Sequence, residues 1–81
     1  MKLNVYVIKD LVMEQCWNLA EAKNDVIASR EFQKLMEKQD FPDDFEMWCV
    51  GWFDHDSMEL SVCEPRKVVL SLESEVEEDV I

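Results

Sequence analysis

Phe45-Glu46-Met47-Trp48-Cys49-Val50-Gly51-Trp52-Phe53-Asp54 is the stretch that decides the fold of this chain. Read with a period of two, its odd positions carry Phe45, Met47, Cys49 and Phe53, and its even positions carry Trp48, Val50 and Trp52. Apolar residues on both faces mark a central strand whose sheet is covered on each side. Two of the three Trp and two of the four Phe residues sit here, so the core gathers around this strand.

The segments before it fall into order. Asp40-Phe41-Pro42-Asp43-Asp44 is a break: Pro42 disfavours helical geometry at Phe41, and the flanking acids favour turns. Ahead of the break, residues 26–38 read as the main helix, with Asn24-Asp25 as its cap. Ala28, Phe32, Leu35 and Met36 form its apolar stripe, and Arg30, Gln33, Lys34 and Glu37 its solvated side. Residues 3–8, rich in Val, Ile and Tyr, make a first strand closed by Lys9-Asp10. The stretch 11–22 supports two readings. Met13, Cys16, Trp17 and Ala20 have the spacing of a short helix, and they also suit an ordered loop whose Trp17 plugs the sheet.

Downstream, Asp54-His55-Asp56-Ser57 is a polar cluster between two apolar runs and so a hairpin turn. Residues 58–64 form a third strand, with Met58, Leu60 and Val62 on its buried face, and Pro65 ends it. Residues 66–72 supply a fourth strand or extended segment. From Glu73 on, Glu75, Glu77, Glu78 and Asp79 follow with no base among them, the composition of a disordered tail. The expected fold class is α+β. It is a small antiparallel sheet of three to four strands with one main helix packed on one face, in a single domain over 1–72, followed by an acidic flexible tail over 73–81. One helix covers only one face of such a sheet. The second face needs a cover, either residues 13–22 with Trp17 or a second copy of the chain.

Composition narrows the function classes. The chain has 81 residues, enough for one small core. Eight basic residues against 19 acids give a formal charge of −11, a field that repels a phosphate backbone and favours a basic protein partner or simple solubility. Cys16, Cys49 and Cys63 form no C-x-x-C pair, and no apolar run is long enough to span a bilayer. A reduced, cytoplasmic setting with no membrane is expected. Asp40, Asp43 and Asp44 lack the alternating ligands and glycine turn of a calcium loop, so no metal and no cofactor are expected. His55, between Asp54 and Asp56, lacks a nucleophile and an orienting group, and reads as a turn histidine rather than a catalytic one.

Three blocks carry a resemblance: Asn24-Asp25-Val26-Ile27-Ala28-Ser29-Arg30-Glu31-Phe32, Val50-Gly51-Trp52-Phe53-Asp54, and Glu64-Pro65 followed by Val68-Val69. In this order they resemble the small non-structural proteins of microviruses, tailless single-stranded DNA phages, chiefly the gokushovirus branch. The resemblance covers about residues 3–70. Within its pattern Asn24 caps the helix, Ala28 and Phe32 face the sheet, and Gly51 allows a bulge or close backbone approach. Where relatives usually carry a glycine in the hairpin turn, this chain has Asp56-Ser57-Met58. The resemblance implies a non-structural phage protein acting in genome replication or packaging in the host cytoplasm.

Three modes of action follow as expectations. The first is a non-enzymatic accessory role through contacts with a phage or host protein, as a homodimer, with Trp17, Trp48 and Trp52 as partner-binding residues. The second is direct single-stranded DNA binding along a Lys23, Arg30, Lys34 and Lys38 edge, which the net charge disfavours. The third is an inhibitor that imitates nucleic acid, its carboxylates being Glu37, Asp40, Asp43, Asp44 and Glu46.

Overall fold

The central stretch does form a strand. A computed structural model, which describes residues 1–69, gives the order β1 (Lys2–Asp10), β2 (Gln15–Ala22), α1 (Asp25–Met36), a 3-10 turn (Pro42–Asp44), β3 (Phe45–Asp54) and β4 (Glu59–Lys67). Among the described residues the strands make one sheet in the order β2-β1-β3-β4, every neighbouring pair antiparallel. The fold is α+β, a small antiparallel sheet with one helix on one face. Residues 70–72 of the expected fourth strand, the domain limit at 72 and the acidic tail over 73–81 lie outside the described residues; Arg66 and Lys67 belong to β4.

α1 starts where its cap predicts. Asn24 is extended, and its side-chain oxygen accepts from the Ile27 amide at 2.9 Å, satisfying one of the free donors of the first turn. Ala28, Phe32 and Met36 are buried, and Leu35 packs partly against them. Their partners across the layer are Tyr6 and Ile8 of β1, Met47 and Cys49 of β3, and Val68, whose amide donates to the Met47 carbonyl at 2.9 Å. Each large apolar side chain buried in this layer contributes about 1.5–3 kcal/mol.

Two expectations about local structure are corrected. Residues 13–22 are neither helix nor plug: Gln15–Ala22 is an edge strand paired with β1, and only a four-residue turn separates the two. The helix-forming composition of this stretch is overridden by ladder hydrogen bonds to β1. Nor does Pro65 end the third strand, since β4 continues to Lys67. Proline lacks a ladder donor, and it is tolerated here because β4 is an edge strand and because pairing with β3 skips from Val62 to Arg66.

The third correction concerns β3 itself. Tyr6 pairs with Cys49 but Val5 pairs with Gly51, so Val50 is an extra residue, a β-bulge. Beyond it the facing of every side chain is exchanged. Phe45, Met47 and Cys49 face α1, whereas Phe53, opposite Leu3, faces the other way. Trp48 and Trp52 therefore lie on opposite faces, not on one. Gly51 is required by close approach rather than by dihedral angles: a Cβ there would lie 2.1 Å from the Ser61 carbonyl oxygen.

Candidate functional site

The face of the sheet away from α1 is built from alternate residues of all four strands. β1 contributes Leu3, Val5 and Val7; β3 contributes Trp48 before the bulge and Phe53 after it; β4 contributes Leu60 and Val62. Leu19 joins them from β2, where a second irregularity between the pairs Tyr6–Ala20 and Ile8–Trp17 re-aims the strand. No described element lies over this face. The cover expected from residues 13–22 is absent because they lie in the sheet, not across it.

The centre and the margins of this face differ. Val5 is buried at its middle, and a shallow recess of about 390 Å³ is lined by Val5, Leu19, Glu21, Phe53 and Leu60. Around it Leu19 is 68% exposed, Leu60 65% and Val62 81%. The apolar face of the third strand was expected to be buried; Met58, Leu60 and Val62 are in fact open. Sequence alternation identified that face correctly but not what stands opposite it.

The carboxylates of Glu46 and Glu21 on this face each have a side-chain partner. At one end Glu46 binds Lys67 at 2.9 Å and accepts from the Trp48 indole at 3.2 Å, while the Lys9 ammonium stands 5.9 Å from the centre of the Trp48 ring. Lys67, then Trp48, holds the Glu46 carboxyl below its ordinary range. Alongside, His55 meets Glu21 at 2.5 Å and rests edge-on against Phe53, ring centres 4.9 Å apart. In a chain with more than twice as many acids as bases, this face is apolar and its two named carboxylates are partnered.

The helix side carries a polar interlock instead. The Asp25 carboxylate accepts from the Tyr6 hydroxyl at 2.7 Å and from both terminal nitrogens of Arg66 at 2.7 and 3.2 Å. Asn4 in turn donates to the Tyr6 oxygen at 3.0 Å. Burial, and then the Asp25 acceptor, push the Tyr6 phenol up to about 12. Arg66, then Tyr6, depresses the Asp25 carboxyl against an opposing effect of burial. The cluster ties β1, the start of α1 and β4 together.

The sequence-predicted candidates do not converge. Trp17 stands on the α1 side, edge-on to Phe45 at 5.6 Å; Trp48 is on the open face; Trp52, opposite Asn4, is on the α1 side at the far end. Of the basic edge, Lys34 and Lys38 line a groove of about 720 Å³ between α1 and β2, and Lys34 pairs with Glu31 at 3.7 Å; Lys23 and Arg30 do not line it. Of the acids, Glu46 is engaged by Lys67, Glu37 follows the last turn of α1 as its C-cap, and Asp40 and Asp44 share a recess at the β1–β2 turn. Asp43 lies within the 3-10 turn beside them. Among the described residues no three His, Cys, Asp or Glu side chains are placed to hold a metal ion, and no helix is long and apolar enough to cross a membrane. Sequence reasoning gave no binding role to Leu19, Val12, Met13 or Phe41, placing Met13 at helical spacing and Phe41 in a break, though all four are exposed and apolar. The signal was present in their residue type, in turns and at a strand edge where solvent is the default.

Comparison with curated proteins and with solved structures returns no match. A family model does match, over residues 3–75, a span that takes in all four strands and α1. The chain belongs to the Phage ORF5 protein family.

Proposed function

We propose that this is a non-enzymatic phage accessory protein, of the non-structural kind found in microviruses, that acts in the host cytoplasm during genome replication or packaging through protein contacts. The open face of the sheet joins two copies of the chain. The observation that carries this reading is the combination of exposed Leu19, Leu60 and Val62 with carboxylates that have local partners. A chain of charge −11 repels its own copies. Two copies meet at least cost where carboxylates already have partners and apolar side chains stand exposed.

Light scattering over a concentration series tests this. The expected mass is twice that of the 9.6 kDa chain, and Val62→Lys returns it to the monomer value. A monomer mass throughout the series, with the unsubstituted chain, overturns the reading. Single-stranded DNA binding through Lys23, Arg30, Lys34 and Lys38 is the weaker alternative, because Lys34 is paired with Glu31 and Glu31 also lines the groove. A gel shift at low salt decides it.

A further inference from the structure

We propose that the tip of the β1–β2 hairpin, together with the adjoining Phe41 loop, is a second docking surface that takes a Lys- or Arg-bearing apolar segment of a protein partner. It extends the reading of a chain that works through protein contacts, and it uses residues separate from the open face. Val12 is 69% exposed, Met13 62% and Phe41 71%. These three come from two segments far apart in sequence, yet with Phe45 they line one recess of about 260 Å³. Single exposed apolar side chains are ordinary; several around one recess mark an interaction site.

The turn does not need those side chains for its own hold. The Asp10 carboxylate accepts from the Val12 and Met13 amides at 3.0 Å each, and the Leu11 amide donates to the Asp44 carbonyl at 2.9 Å. Hairpin and Phe41 loop are thereby fastened to one another, and the backbone positions that carry the apolar side chains are held together. A backbone already held in place loses little conformational freedom on binding.

Charge selects the occupant. Asp10, Asp40 and Asp44 line the recess with Phe41 and Phe45, and among the described residues no Lys or Arg does. Asp10 is already engaged by two amides, and Asp40 and Asp44 are the other two acids of the lining. A neutral apolar segment would desolvate these carboxylates without compensation, and nucleic acid or an acidic peptide would be repelled. A Lys or Arg side chain satisfies both features: its stem lies along Val12, Met13 and the aromatic rings while its cation reaches the carboxylates. The recess is smaller than the clefts of about 300–1,000 Å³ that hold drug-sized ligands, and suits one long side chain.

The test is a titration of the isotope-labelled full chain, followed by amide shifts, with three synthetic peptides: alternating Arg and Leu, alternating Arg and Ser, and alternating Glu and Leu. The Arg–Leu peptide is expected to shift amides of residues 10–14 and 39–45. The Arg–Ser peptide binds about tenfold more weakly or worse, and the Glu–Leu peptide does not bind. Phe41→Ser, at a solvated position, weakens the Arg–Leu peptide by about tenfold, and Asp40→Asn with Asp44→Asn flattens its salt dependence. Val62→Lys leaves peptide binding unchanged, so failure of the open-face reading, scored by light scattering, is distinguishable from failure here. Equal binding of the Arg–Leu and Arg–Ser peptides overturns the proposal, as do shifts scattered over the whole acidic surface or an unchanged affinity in Phe41→Ser.

Discussion

The two halves of β3 are made of the same kinds of residue and are used differently. Before Val50, the strand directs Phe45, Met47 and Cys49 toward α1, where Met47 and Cys49 are buried. After it, Phe53 is directed to the uncovered side and stays half-buried, against His55. One inserted residue thus divides a single apolar strand between a face closed by a helix and a face left open. An apolar pattern establishes which residues share a face; it does not establish what, within one chain, covers that face.

The largest expected effect comes from the position that makes this division possible. Gly51→Ala places a methyl group 2.1 Å from the Ser61 carbonyl oxygen, which is backbone and cannot rotate away. Separating β3 from β4 there should cost about 4 kcal/mol or more, at the upper end of single substitutions. Urea unfolding followed by tryptophan fluorescence measures it. A loss below about 1 kcal/mol would show that β4 can shift outward freely, and that the bulge is not pinned by close approach.

Next come truncations on either side. Phe32→Ala, in the buried layer under α1, should cost about 3–5 kcal/mol, the range for a fully buried phenylalanine. Phe53→Ala, half-buried on the open side, should cost about half as much when the chain is dilute. Measured at rising protein concentration, the Phe53→Ala deficit grows and the Phe32→Ala deficit does not, if a second copy covers the open face. Equal and concentration-independent losses would remove the distinction between the two halves.

The sequence showed one half of this arrangement better than the other. The helix, its Asn24 cap, the stripe of Ala28, Phe32 and Met36, the strand over 3–8 and the turn after Asp54 are local patterns, readable because each lies within one period or one cap. β2 was hidden, since Met, Glu, Gln, Leu and Ala favour a helix until β1 offers a ladder. The bulge at Val50 was visible only as a glycine next door, and a period-two reading assigns Phe53 to the wrong face without it. The recess between Val12 and Phe41 was not legible at all, because the two segments are brought together by a hydrogen bond from Leu11 to Asp44 that no local pattern encodes.

A smaller effect separates the polar tie of the closed side from its apolar packing. Asp25 has its carboxyl held below the ordinary 3.8 by Arg66 and then Tyr6. A folded-state value below the unfolded one adds stability above the unfolded value, and that stability is lost as pH falls through the folded value. Asp25→Asn should therefore cost about 1 kcal/mol at neutral pH, discounted because both Asp25 and Arg66 are partly solvated, and almost nothing at about pH 2. Unfolding curves at the two pH values test the difference. The same deficit at both would mean that the contact acts through shape and not charge. Glu46 and Asp54, also held low, keep their own share of the acid sensitivity in the variant.

The smallest effect on stability is the most informative about the open face. Val62 is 81% exposed on an edge strand, so Val62→Lys removes almost no packing from the isolated chain. Its cost in dilute solution should stay within about 0.5 kcal/mol. If two copies meet on this face, the melting temperature of the unsubstituted chain rises with concentration, because association stabilises only the folded form. Val62→Lys places an unpaired cation on the apolar margin of that contact, where Glu46 already has its partner in Lys67. The concentration dependence should then vanish while the dilute melting temperature is unchanged. A variant that melts lower even when dilute would mean that Val62 supports the sheet itself, and a slope that survives the lysine would place the association elsewhere on the chain.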